Sequence, residues 1–95
     1  MGKYRLTEEA KEDLRRIYEY EYKELGERSA DEYFYSFFDA FNKLADSPLL
    51  YQSIDEIRPG YKPCPHRSDV IYYRINQGIV EIMAIIGGQD IDVWL

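Results

Sequence analysis

The sequence predicts an α+β domain with the element order β, α, α, β, β, β. Three observations carry this. Residues 8–45 place apolar side chains at steps of three and four, interrupted once at Gly26. Residues 69–76 (DVIYYRIN) and 79–86 (IVEIMAII) are β-branched and aromatic, with Gln77-Gly78 between them. Residues 3–7 (KYRLT) alternate, Tyr4 and Leu6 to one side and Lys3 and Arg5 to the other.

Each element has its own signals. After the first short strand, Thr7 is placed to cap a helix. Glu8 and Glu9 in its first turn suit the positive end of the helix dipole. Ala10, Leu14, Ile17, Tyr18 and Leu25 continue at helical spacing, and Gly26 supplies a stop. The second helix has a wide apolar stripe of Ala30, Tyr33, Phe34, Phe37, Phe38, Phe41, Leu44 and Ala45. Ser29 and Glu32 fit a capping box, with a start near Glu27 as the alternative, and Asp46-Ser47-Pro48 ends the helix. The short connection predicts an antiparallel helical hairpin. Residues 49–60 read as a loop with Arg58-Pro59-Gly60 as its turn. Tyr61–Pro65 reads as a strand whose prolines confine it to a sheet edge, and Asn76–Gly78 as the turn of a β-hairpin.

Ninety-five residues, 45% hydrophobic and 16% aromatic, fit a single domain over residues 1–95 with a modest core rather than a disordered chain. The single cysteine cannot close an internal disulfide. The N-terminus has no apolar signal region, and no run reaches the length of a membrane span, so a cytoplasmic protein without membrane attachment is expected. The net charge of −6 argues against a phosphate-binding protein, but the sign is unevenly spread. Residues 19–32 carry six acids against two bases, and residues 57–74 carry four bases against one acid.

The basic segment also holds the only histidine and the only cysteine. Cys64 and His66, even joined by Asp69, fall short of the two ligand pairs a zinc site needs, so no metal and no cofactor is expected. The alternative is a half-buried thiol and a solvent-facing imidazole. No phosphate-binding glycine loop is present, and a Cys–His nucleophile pair two residues apart on a strand is poorly disposed for proton transfer. Arg58, Lys62, His66, Arg67 and Arg74 could serve a metal-free ribonuclease as acid, base and cations. The solvated side of a half-exposed sheet is the favoured reading of these residues, because clustered charges usually mark a solvated face. The run YEYEY at 18–22 lies among acids, which favours helix packing and a tyrosine-lined partner surface over base stacking.

Taken in order, YRLTEEAKEDLRRIYEY, the Ala30-Asp31 to Pro48 helix, DEIRPGYK, DVIYYRI and VEIMAIIGGQD resemble the ParE toxins of the RelE/ParE superfamily over Tyr4 to Asp90. The most specific pieces are Leu6-Thr7 with Ala10 and Asp13-Leu14, LADSP, DEIRPGY and VIYYR. The resemblance implies a helical hairpin packed on one face of a small, mainly antiparallel, four-stranded sheet. It implies the toxin half of a type II toxin–antitoxin pair, in a hetero-oligomer with a ParD-like antitoxin. It further implies a protein that poisons DNA gyrase by binding, without catalytic residues of its own and without direct contact to nucleic acid. RelE relatives instead cut messenger RNA with basic residues and often a C-terminal Tyr or His. The tail MAIIGGQDIDVWL offers no Lys, Arg, His or Tyr, and an acidic chain suits ribosomal RNA poorly. The expected target-binding residues are Gln89, Asp90 and Trp94 at the C-terminal end. The expected antitoxin contacts are Tyr20 and Tyr22 on the hairpin, Tyr61 and Lys62 at the sheet edge, and Arg67 and Arg74. Phe37 and Phe41 are expected to be structural. The sequence departs from the family pattern at Ile86 and Gly88, where members commonly carry a His and an Arg. A RelE-type endoribonuclease, or a weakened toxin that only binds antitoxin, are the alternative functions.

Overall fold

The computed structural model describes residues 2–53 and 58–87. The elements are β1 (Tyr4–Leu6), α1 (Glu8–Leu25), α2 (Glu27–Asp46), β2 (Lys62–His66), β3 (Asp69–Asn76) and β4 (Ile79–Gly87). They form two helices on one face of a four-stranded sheet of order β1-β4-β3-β2. β1 runs parallel to β4, and the β2–β3 and β3–β4 pairs are antiparallel. The predicted order of elements and the edge position of the proline-bearing strand are both found.

Thr7 caps α1 as expected: its Oγ1 accepts from the Ala10 amide at 3.1 Å. The same hydroxyl donates to the Met83 carbonyl at 2.9 Å, so the cap also fastens the helix to β4. The connection between the helices is the single residue Gly26, with φ 95° and ψ 175°, a backbone conformation essentially open only to glycine. Because Gly26 ends one helix and begins the next, α2 starts at Glu27 and the expected Ser29–Glu32 capping box does not form. Ser29 Oγ instead donates to Glu21 Oε1 across the hairpin at 3.1 Å, and Glu32 accepts from Arg28 at 3.2 Å.

The wide stripe of α2 serves two surfaces. Tyr33, Phe37, Phe41 and Leu44 are buried against the sheet, where they meet Cys64, Ile71, Tyr73, Val80, Ile82 and Ile85, together with Ala10, Leu14 and Ile17 of α1, and Ala30 is also buried. Phe34 and Phe38, one position further round, are only partly buried. β4 carries a bulge opposite the Tyr72–Tyr73 step: Ala84 pairs with Tyr72 and Ile82 with Tyr73, leaving Met83 unmatched. The extra residue shifts the alternation, so Ile82 and Ile85, three apart, both face the helices.

Beyond the end of β1, the outer edge of β4 is closed by side chains of α1. The Ile85 amide donates to Asp13 Oδ2 at 2.9 Å, and its carbonyl accepts from Arg16 at 3.1 Å. On the helix-free face, Tyr72, Ala84 and Ile86 form a second small buried cluster with Tyr61 and Val70.

Candidate functional site

A furrow of about 520 Å³ runs between the two helices. Leu6, Leu14, Tyr18, Phe34, Tyr35 and Phe38 line it, with Lys11 and Arg15 on one rim and Asp31 on the other. The helical spacing that sends Phe37 and Phe41 into the sheet turns Phe34 and Phe38 toward this furrow. The aromatic floor is well ordered by edge contacts: Phe34 meets Tyr18 at 5.8 Å and 85°, and Phe38 at 5.1 Å and 61°. At one end Tyr18 Oη donates to Asp31 Oδ1 at 2.7 Å, and that carboxylate raises the phenol to about 12. The phenol therefore stays protonated, and the clasp between α1 and α2 holds across the physiological range.

The rim cations are neutralised within their own helix. Lys11 pairs with Glu8 at 3.2 Å and Arg15 with Glu12 at 2.9 Å. Such exposed pairs are weak, so a partner can displace them at little cost. An apolar floor with a charged rim is what an amphipathic helix of another protein requires. None of the furrow residues is among the partner contacts expected from the sequence, which sets Tyr18 with the apolar spacing of the first helix. The signal was the excess width of the α2 stripe, two rows of aromatics where one row suffices for the sheet.

The residues predicted for partner binding are dispersed. Tyr20 and Tyr22 are both exposed, at 66% and 50%. Tyr22 packs toward Tyr18 at 6.3 Å, which puts it at the end of the furrow. Tyr20 lies on the opposite flank of α1, beside Arg16, Ser68 and Gly87. Lys62 Nζ donates to the Tyr51 carbonyl at 3.0 Å and to Ser53 Oγ at 3.3 Å, tying the loop after α2 to β2. Tyr61 is half-buried on the helix-free side, beneath Arg58 at 5.8 Å. Arg74 donates through Nε to Glu81 Oε1 at 2.7 Å, and Arg5 reaches the other carboxylate oxygen of Glu81 at 2.6 Å. The Arg74 and Arg5 partners hold the Glu81 carboxyl below its ordinary range. Gln89, Asp90 and Trp94 lie outside the described residues.

The cluster around His66 overturns the expected solvent-facing imidazole. His66 stacks on Tyr33, with rings 5.7 Å apart and 6° from parallel, and packs on Phe37 at 4.5 Å. Ser36 donates its hydroxyl proton to the Tyr33 carbonyl at 2.6 Å, so its 2.8 Å contact with His66 Nε2 has the imidazole as donor. Burial, and then the nearby Arg67 charge, lower the His66 pKa, and the ring is neutral at pH 7. Tyr33 Oη donates to Asp69 Oδ2 at 2.6 Å, and the Arg67 guanidinium lies 4.9 Å over the Tyr33 ring. Arg67 adopts φ 54°, the left-handed turn that joins β2 to β3. These contacts lock that turn onto α2. Cys64 is buried more deeply than expected, at 6% exposure, because it faces the core on a strand whose prolines face out. Burial raises its thiol pKa, opposed by a hydrogen bond with Tyr51, and Sγ lies 3.8 Å from the Pro65 carbonyl. Among the described residues no group of three or more His, Cys, Asp or Glu could hold a metal. Among them, too, no helix is long and apolar enough to cross a membrane.

Comparison with known proteins bears on the whole of this architecture. Residues 4–91 match the family described as the ParE toxin of the type II toxin–antitoxin system parDE. Toxin ParE1 of Caulobacter vibrioides is 31% identical over 86 residues, covering 90% of this chain and 88% of that protein. Toxin ParE1 of Mycobacterium tuberculosis is 27% identical with the same coverage. Among solved structures, the chromosomal ParDE system of P. aeruginosa superposes with a TM-score of 0.80 at 17% identity, covering 92% of this chain and 96% of that one. The RelBE2 toxin–antitoxin complex of M. tuberculosis follows this fold with a TM-score of 0.69 at 18% identity, covering 90% and 96%. With a furrowed helical hairpin on a mixed sheet and a family match spanning nearly its full length, this chain belongs to the ParE toxin family of type II toxin–antitoxin systems.

Proposed function

We propose that this chain inhibits DNA gyrase by binding it in the cytoplasm, performs no chemistry of its own, and is neutralised by an antitoxin whose amphipathic helix occupies the furrow between α1 and α2. The apolar floor of Leu14, Phe34 and Phe38 is the observation that carries the antitoxin site. The similar P. aeruginosa structure is described as a ParDE system, which supports a ParD-like partner here. The absence of chemistry is supported by the state of the residues a ribonuclease would need. His66 is engaged with Ser36 and Arg67 with the Tyr33 ring in one cluster, while Lys62 is bonded to Tyr51 and Arg74 to Glu81 elsewhere on the molecule. Gln89, Asp90 and Trp94 are the proposed gyrase contacts, and Tyr22 extends the antitoxin site.

The test is a gyrase supercoiling assay with purified protein, scored for loss of supercoiling and gain of cleaved DNA. Inhibition is expected, with loss on removing Trp94 and Leu95 or on Gln89→Ala with Asp90→Ala. Phe34→Glu is expected to keep inhibition but escape the antitoxin. Absence of inhibition at micromolar protein refutes the gyrase reading, and cleaved messenger RNA in a translation extract would replace it with the ribonuclease alternative.

A further inference from the structure

The flank of α1 that faces away from the furrow borders a second hollow, of about 370 Å³. Arg16, Tyr20 and Glu21 line it from α1, Ser68 and Asp69 from the start of β3, and Gly87 from the end of β4. Gly87 leads within two residues to Gln89 and Asp90, so the hollow lies where the C-terminal tail leaves the sheet. Tyr20 adds nothing to the core. It is 66% exposed, and among the described residues it makes no hydrogen bond and no ring contact.

The acids of this hollow are half used and its cations are committed. Asp69 Oδ2 accepts from the Tyr33 hydroxyl at 2.6 Å, and Glu21 Oε1 accepts from Ser29 at 3.1 Å. Among the described residues the second oxygen of each carboxylate accepts no hydrogen bond, and neither carboxylate has an ion pair. Arg16 is turned along α1 and β4, donating to Asp13 at 3.3 Å and to the Ile85 carbonyl at 3.1 Å. Arg67 is held 4.9 Å over the Tyr33 ring. The stretch that carries Tyr20 is acidic as well, with six acids against two bases over residues 19–32. Two carboxylate oxygens beside an unengaged phenol ring suit a guanidinium, whose planar fork pairs with carboxylates and whose face stacks on aromatic rings. An ammonium offers only a point charge. We infer that this hollow takes an arginine side chain of the target protein, its guanidinium against Glu21 and Asp69 and its flat face on Tyr20. Tyr20 then belongs to the target surface and Tyr22, at the end of the furrow, to the antitoxin surface. This rests on reading the C-terminal end of the chain as the target-binding end.

The probe is N-acetyl-arginine amide, with N-acetyl-citrulline amide as its uncharged isostere, titrated into the ¹⁵N-labelled full chain. The arginine probe is expected to shift the Tyr20, Glu21, Ser68 and Asp69 amide resonances. The citrulline probe is expected to bind roughly tenfold more weakly, the ratio of a charge-assisted to a neutral hydrogen-bonded contact. Tyr20→Ala and Glu21→Gln, each checked for folding by its own spectrum, should weaken the arginine probe and lower gyrase inhibition roughly tenfold, the loss of one interface anchor. Both variants should bind a ParD-like antitoxin as tightly as the wild type, because they lie off the furrow. Equal shifts from both probes, no shifts, or shifts confined to furrow residues would overturn the inference. Variants that keep full gyrase inhibition but lose the antitoxin would overturn it too, and give the hollow to the antitoxin. If the wild type and both variants inhibit gyrase equally, the hollow fails and the gyrase reading stands. If the arginine probe binds as expected and the wild type leaves gyrase untouched, the gyrase reading fails and the hollow stands as a guanidinium site for another target.

Discussion

Tyr33→Phe isolates the contact that fixes the β2–β3 turn to α2. The side chain is 4% exposed, and its hydroxyl donates to Asp69 Oδ2 at 2.6 Å. A bond to a charged acceptor contributes about 1.5–3 kcal/mol, and deletion leaves the carboxylate short of a donor in a half-buried position. The ring, its stacking on His66 and its place beneath Arg67 are retained by phenylalanine, and the lost desolvation of the hydroxyl offsets part of the cost. The expected net loss is about 2 kcal/mol. For a domain of this size that corresponds to a fall of roughly 10 °C in Tm. Urea unfolding followed by circular dichroism measures it, with Tyr35→Phe as the control, since Tyr35 is 65% exposed and should change stability by less than about 0.5 kcal/mol. Asp69→Asn completes a double-mutant cycle, with an expected coupling of about 1–2 kcal/mol. A Tyr33→Phe change no larger than that of Tyr35→Phe, or a coupling near zero, would show that the turn is held by packing alone.

Three further outcomes are expected. Gly26→Ala should cost about 1–3 kcal/mol in urea unfolding through backbone strain alone, because φ 95° is closed to alanine while no atom lies within 4 Å of the added Cβ. His66 has a folded pKa below its unfolded value of 6.5, so the unfolded chain takes up the proton first. Its contribution is therefore complete above that pH and is lost as pH falls toward the folded pKa; the stability gap between wild type and His66→Asn should narrow between pH 7.5 and pH 5, and a gap that widens would contradict the buried neutral ring. Finally, the Cys64 thiol should react with a disulfide reagent at pH 8 only at the rate of unfolding, accelerating in step with urea, whereas immediate labelling of the native protein would contradict its burial.

The sequence carried the elements well and the surfaces poorly. The helices were legible because Ala10, Leu14 and Ile17, and Tyr33, Phe37, Phe41 and Leu44, repeat with the helical period and are buried. Pro63 and Pro65 marked the edge strand by chemistry alone. What escaped were features that depend on contacts distant in the chain. Ser29 reads locally as a cap, but Glu21 on the neighbouring helix competes for its hydroxyl. His66 reads as solvated because it ends an edge strand beside the polar turn residues Arg67 and Ser68, and only the docking of α2 brings Tyr33, Ser36 and Phe37 around it. The furrow was present as an unexplained surplus, since Phe34 and Phe38 exceed what one face of a helix needs against a sheet.

The parallel pairing of β1 with β4 joins Arg5 to Glu81 across 76 positions of sequence. During synthesis the helical hairpin leaves the ribosome long before β4 does, and its apolar underside has no sheet to cover. β1 emerges first of all and has nothing to pair with until Val80 to Ile82 follow. The furrow that reaches Leu6 is thus closed at its β1 end only when β4 has paired with β1. A nascent chain that stops short of β4 does not present the furrow in its final form.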